Sequence, residues 1–246
     1  MGREFLPDMN ISKTDIKAIT FDFYLTLAHP RGGRTRGEVF QEYLRRMGMK
    51  ADPWEHKVNY DVFPFYGQAY HPDLSEEEKR AFWTEFTRRL FERTRVSGPV
   101  ATDYARHAAA IRLMFGSQCL EPYEEVFEAL AGLKRAGARL AIISNWPHGL
   151  GYFCRELGLA DFMEFILASA EFGCQKPDGR IFGEACRLFN LAPQQILHVG
   201  DDPVEDNLGA REASFPTLRV LRDGQAASGD FPSIRNLREL LPLFVA

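Results

Sequence analysis

Short apolar runs alternate with amphipathic stretches along most of the chain. The runs at 16–21 (IKAITF), 138–143 (ARLAII), 165–168 (FILA), 196–199 (ILHV) and 217–221 (TLRVL) read as strands buried in a sheet. Residues 122–136 repeat apolar groups at Val126, Phe127, Leu130 and Leu133 and stop at Gly137. Residues 178–189 do the same with Ile181, Phe182, Ala185, Leu188 and Phe189, then meet Asn190. Both patterns predict helices that end on a residue tolerant of left-handed backbone. Strand and helix in alternation predict a parallel sheet covered on both faces.

The stretch between the first run and residue 122 has no strand pattern. It reads as four helices. The first, 35–48, sets Val39, Phe40, Tyr43, Leu44 and Met47 on one face, and the second, 54–70, is rich in aromatics. A third follows the capping box Ser75-x-x-Glu78 and carries Phe82, Phe86 and Leu90; a fourth covers 103–115. The expected fold is therefore α/β. A Rossmann-like parallel sheet core, 1–27 and 120–246, is interrupted by an all-helical domain, 28–119.

Composition narrows the function classes. The 246 residues are 45% hydrophobic, enough for a sizeable core in one large or two smaller domains. A formal net charge of -4 and a pI near 5.9 give no electrostatic reason to expect nucleic acid as a partner. The start, MGREFLPDMNISKTD, is charged and broken by Pro7, unlike a signal peptide, and Leu6 stands where myristoylation wants Ser or Thr. No apolar run is long enough to span a bilayer, so no membrane partner is expected. Cys119, Cys154, Cys174 and Cys186 lack a CxxC spacing and read as reduced thiols, as in a cytoplasmic protein.

In open α/β sheets, ligands bind beyond the carboxyl ends of the strands. The first strand ends in Asp22-Phe23-Tyr24-Leu25-Thr26-Leu27, and the strand at 138–143 ends in Ser144-Asn145. Lys176-Pro177 follows the strand at 165–168, and the strand at 196–199 ends in Gly200-Asp201-Asp202, with Asp206 shortly after. A carboxylate held rigidly at a strand end can attack phosphorus or carbon. A hydroxyl and an ammonium can hold the oxygens of an anionic substrate and offset developing charge. Clustered aspartates suit a hard cation such as Mg²⁺.

Order, spacing and context together resemble the four signature motifs of the haloacid dehalogenase-like superfamily. The helical insertion after the first motif is similar to the cap of that superfamily's first subclass. The resemblance implies roles position by position. Asp22 matches the nucleophile, Ser144 the hydroxyl that binds the transferring group, with Asn145 beside it, and Lys176 the lysine that orients the nucleophile. Asp22, the backbone carbonyl of Tyr24, Asp201 and Asp206 match the magnesium site, Asp206 often through water. The substrate implied is a small anionic molecule.

The first motif departs from the phosphatase pattern. Phosphatases of this resemblance carry a second Asp two residues after the nucleophile, where this chain has Tyr24, the residue that 2-haloacid dehalogenases show. A halide leaves without a proton, whereas an alkoxide needs one. The fourth motif points the other way, because such dehalogenases work without metal and lack the Gly-Asp pair kept here as Gly200-Asp201. Leu25, in place of the usual Gly, fits neither pattern. The leading expectation is Mg²⁺-dependent hydrolysis of a phosphorylated metabolite. Metal-independent dehalogenation and a low-turnover ligand-binding protein are the alternatives.

Other residues carry two readings each. Asp202 suits a helix cap better than a metal ligand. His29, Arg31, Arg34 and Arg36 form either an anion clamp or a solvated linker. Trp54, Tyr60, Phe63, Phe65, Tyr66 and Tyr70 either wall a pocket or fill the inserted domain's own core. Trp146 and His148 follow the second motif, in a position open to substrate contact. His198 falls on a buried strand, with no role assigned.

Overall fold

The computed structural model describes residues 16–53, 58, 62, 74–146, 149–222 and 231–244. The chain divides into two compact units, one of 1–29, 122–145 and 158–246, the other of 30–121 and 146–157.

The first unit is built on six parallel strands: β1 (Ala18–Phe21), β4 (Arg139–Ser144), β5 (Phe165–Ala168), β6 (Ile196–Gly200), β7 (Thr217–Val220) and β8 (Ser233–Ile234). Their order is β5-β4-β1-β6-β7-β8, so the chain builds outward from β1 on one side and then on the other. The strand order reverses at β1, and its carboxyl end is the place where such sheets hold ligands. A further pair of three-residue strands, β2 (Ala28–Pro30) and β3 (Leu120–Pro122), makes a separate sheet. These two correct the expectation of a strand-free stretch between β1 and residue 122. Three residues are too few for alternation to register.

One face of the sheet is covered by the helix Gly179–Phe189. Its Ile181, Phe182, Ala185 and Phe189 pack with Ala18, Ala141, Ile143, Ile196, Ala210 and Phe215 in one buried cluster. Full burial of a side chain such as Phe182 stabilises the fold by about 1.5–3 kcal/mol. Asp178 caps the start by accepting from the Arg180 amide, and Asn190, at φ 53°, ends it in left-handed backbone. The helix Val126–Arg135 buries Val126, Ala129, Leu130 and Leu133.

The second unit is mainly helical among its described residues. Arg36–Arg46, Glu76–Arg93 and Tyr104–Phe115 are its long helices, and the first two begin with complete capping boxes, Thr35/Glu38 and Ser75/Glu78. Phe40, Phe86, Phe91 and Phe115 interlock through ring contacts of 5.8–6.1 Å. Residues 146–157, which include the helix Leu150–Glu156, group with this unit, although the sequence pattern alone assigns them to the 120–246 segment. The helix expected at 54–70, with its aromatics, lies outside the described residues except for Val58 and Val62, both helical and buried.

Candidate active site

Four loops leave the carboxyl ends of β1, β4, β5 and β6. Asp22 directly follows β1, and its amide still bonds the Val199 carbonyl at 2.9 Å. This backbone bond extends the sheet by one residue, so the carboxylate is held with strand-like rigidity. The chain then turns sharply: Leu27 and Ala28 amides both reach the Phe23 carbonyl, and Leu25 adopts φ 61°. Left-handed backbone costs a non-glycine residue about 1–2 kcal/mol, which explains why glycine would suit position 25. Tyr24 is half-buried in the same turn and bridges to Ala28.

Asp22 is buried, and Ser144 Oγ and Lys176 Nζ both donate to its Oδ1, at 2.9 and 2.6 Å. Lys176 is 1% exposed, although Gln175 and Pro177 on either side of it are exposed. Its ammonium also contacts Asp206 Oδ1 closely. A lysine with no water around it is tolerable only with carboxylate partners, and here it has two.

Asn145 does not point into this cluster through its amide. Its Oδ1 accepts from the Lys176 amide at 2.7 Å, while Nδ2 donates to the Lys176 carbonyl and to Glu205 Oε2. The side chain thus clamps the Lys176 backbone from the neighbouring strand end. Asp202 accepts from the Val204 and Glu205 amides and caps the π-helical turn Pro203–Leu208, as its capping reading expects. That turn brings Asp206 back over Gly200. Asp206 Oδ2 accepts from the Asp202 amide at 3.0 Å, and Asn207 anchors the turn to Thr217.

Asp22, Asp201 and Asp206 present carboxylate oxygens within 4.8 Å of one another. Their protonation reflects that crowding. Burial pushes the Asp22 carboxyl up to about 6, against the pull of Lys176. Burial and then the charges of Asp22 and Asp206 push Asp201 up to about 8. Burial opposes ionisation of Asp206 too, but Lys176 and His198 hold it well below the usual carboxylate range. Three carboxylates therefore share one ammonium, and that ammonium bonds directly to Asp22 and Asp206. This donor set, all hard oxygens with an excess of negative charge, fits a divalent cation such as Mg²⁺.

Several supporting residues carry no signal in the sequence that marks them for the site. Arg219 on β7 donates to the Asp201 carbonyl at 3.0 Å. Arg222 donates to Glu125 Oε1 at 2.6 Å and to the Thr26 carbonyl, and its guanidinium stacks 3.6 Å from the Tyr123 ring centroid. Only the polar identity of these positions next to apolar runs could draw attention to them. The basic residues after β1 have local partners. Arg31 pairs with Glu121 and Arg34 with Glu42, Arg36 lies over the Trp146 ring at 5.1 Å, and His29 packs on Tyr123. His148 lies outside the described residues.

Comparison with known proteins draws these loops into one family. The family model described as haloacid dehalogenase-like hydrolase matches residues 16–214. The rhythmically expressed gene 2 protein of Drosophila melanogaster is 28% identical over 229 residues, spanning 85% of this chain and 84% of its own. A phosphoserine phosphatase of Thermus thermophilus is 32% identical over 177 residues, 69% of this chain and 68% of its own. The crystal structure of a 2-haloacid dehalogenase from Pseudomonas syringae shares the fold, with TM-score 0.59 and 24% identity over 93% of this chain and 97% of that one. Since the match runs from β1 past Asp206 and takes in all four loops, this chain belongs to the haloacid dehalogenase-like family of hydrolases.

Proposed function

We propose that the protein is a Mg²⁺-dependent phosphatase of small phosphorylated metabolites, working through an aspartyl-phosphate on Asp22. The observation that carries this reading is the buried cluster of Asp22, Asp201 and Asp206 around a single ammonium. A phosphatase among the relatives adds support. Asp22 and Asp201, with the Tyr24 backbone carbonyl, would hold the ion, and Asp206 would stand behind them. When bound, the ion offsets the carboxylate charge and polarises the phosphoryl oxygens.

The chain's own groups do the rest. A carboxylate oxygen of Asp22 attacks phosphorus, and the bond to the leaving oxygen breaks. Ser144 and Lys176 bind the phosphoryl oxygens and offset the charge that builds there. Among the described residues, both donors to Asp22 converge on Oδ1, so Oδ2 is left without a hydrogen bond. Water then attacks the aspartyl-phosphate at phosphorus, releasing inorganic phosphate and regenerating Asp22.

Tyr24 favours a second reading, dehalogenation of a 2-haloacid through an ester on the same Asp22. There the carboxylate displaces halide, and no proton is needed by the leaving group. One screen separates the two: purified protein against phosphate esters and 2-haloacids, each with Mg²⁺ and with chelator. Phosphate release that requires Mg²⁺ and disappears in Asp22→Asn supports the phosphatase. Halide release in chelator supports the dehalogenase, and phosphatase turnover undiminished in Asp22→Asn ends the aspartyl mechanism.

A further inference from the structure

β1 (AITF) and β6 (ILHVG) are apolar apart from one residue each, Thr20 and His198. The two are paired in register across the sheet, and both are wholly buried. A buried polar side chain in such a strand is costly unless it is hydrogen-bonded, and a valine or phenylalanine would pack there without that demand. The geometry shows where the demand is met. Thr20 Oγ1 lies 2.9 Å from His198 Nδ1, and His198 Nε2 lies 3.3 Å from Asp206 Oδ1.

These contacts select one tautomer. Asp206 is ionised against the Lys176 ammonium, and a carboxylate can only accept. Nε2 must therefore carry the hydrogen and donate to Asp206. In the neutral ring Nδ1 is then bare, and it accepts from the Thr20 hydroxyl. The Phe182 ring stands edge-on to the imidazole, 5.3 Å away at 88°. Asp206 is thus fixed from three sides: Lys176 and His198 on Oδ1, and the Asp202 amide on Oδ2.

We propose that His198, oriented by Thr20, is a positioning residue that aims Asp206 and through it holds the Lys176 ammonium against Asp22. Its kinetic consequence rests on the phosphatase reading; its geometric consequence does not. The pair works from within the sheet, where strand pairing keeps Thr20 and His198 in fixed register. Partners of this kind behind a catalytic group typically change activity by about 10–100-fold when removed.

The test combines nitrogen NMR with kinetics. Histidine-labelled wild type should show His198, identified by its absence in His198→Gln, protonated at Nε2 and bare at Nδ1. His198→Gln, whose amide offers N–H where Nε2 stood, should keep kcat within a few-fold of wild type. His198→Phe keeps the shape without the donor, and should lose about 10–100-fold in kcat with KM little changed. A ring protonated at Nδ1, a Phe variant as active as wild type, or equal losses in Gln and Phe variants would overturn the proposal. If the Phe variant fails to fold, the wild-type tautomer still decides. If wild type hydrolyses no phosphate ester, the functional reading fails while the tautomer again decides this one.

Discussion

Lys176 Nζ lies 2.6 Å from Asp22 Oδ1, both side chains buried and drawn from loops 154 positions apart. The same ammonium touches Asp206, so one lysine compensates two buried carboxylates. Lys176→Met would keep the stem and remove the charge. Breaking a buried pair by deleting one partner costs about 3–5 kcal/mol, because the remaining charge is left unpaired. Thermal unfolding at pH 7 should show that loss. Without the ammonium, only His198 would still oppose the burial of Asp206, and both carboxyls would take up protons more readily on acidification. The gap between variant and wild type should therefore narrow as pH falls toward 5. A gap that stays constant would mean that the lysine's contribution is packing and not charge.

Gly200 is required by a close approach. A Cβ placed there would come within 2.2 Å of Asp206 Oδ2 and Cγ. Real Cβ atoms do not tolerate such contacts, so Gly200→Ala must push Asp206 off its bonds to Lys176 and His198. Overpacking of this kind costs about 1–3 kcal/mol. Turnover should fall more than stability alone would explain, because the displaced group orients Lys176. Kinetics at a temperature where the variant is fully folded check this, and unchanged kcat would contradict it.

Arg222 and Glu125 make a buried ion pair under the turn that follows Asp22, with Arg222 also bonding the Thr26 carbonyl. Burial alone would raise the Glu125 carboxyl, but the Arg222 guanidinium, together with backbone amides that include Leu237, holds the group below its ordinary value. A depressed folded pKa means that the unfolded chain binds the proton more readily. The pair's stabilisation is then present above the unfolded value, about 4.3, and is lost as pH falls through the folded one. Glu125→Gln should lower stability at pH 7 and flatten its decline between neutral and acid pH. Parallel acid-unfolding curves for the two proteins would refute the assignment.

The inner strands of the sheet were legible because they are buried on both faces and so form near-continuous apolar runs. The helices Val126–Arg135 and Gly179–Phe189 were legible because each buries one stripe and ends on Ala136-Gly137 or Asn190. The two-residue strand Ser233–Ile234 and the seven-residue helix Leu150–Glu156 are too short for any period to show. The positions of the candidate site residues could be read because topology sends strand ends to one edge. Their orientation could not. Asn145 turning to the Lys176 backbone, and Arg222 reaching Thr26 from 196 positions away, depend on contacts that local pattern does not encode. His198 did leave a mark, as the lone polar residue in ILHVG, but its meaning required Asp206 beside it.

Tyr24 supplies the sharpest prediction. A phosphatase step needs a proton delivered to the leaving oxygen and later taken from the attacking water. A phenol with a pKa of about 10 stays protonated at neutral pH and is a poor base for that water. Positioned acid–base catalysis contributes about 10²–10⁴-fold, so its weakness should be visible in rates. Wild type is expected to hydrolyse alkyl phosphates slowly and an aryl phosphate, whose leaving group needs less help, relatively better. Tyr24 is half-buried in the turn beyond Asp22, so a shorter carboxylate there adds no bulk to the turn. Tyr24→Asp should raise alkyl phosphate turnover by about 10²-fold or more while leaving the aryl substrate less affected. The opposite result is as readable. If Tyr24→Asp gains nothing, and wild type releases halide from a 2-haloacid in the presence of chelator, then Tyr24 marks a dehalogenase and the phosphatase reading falls.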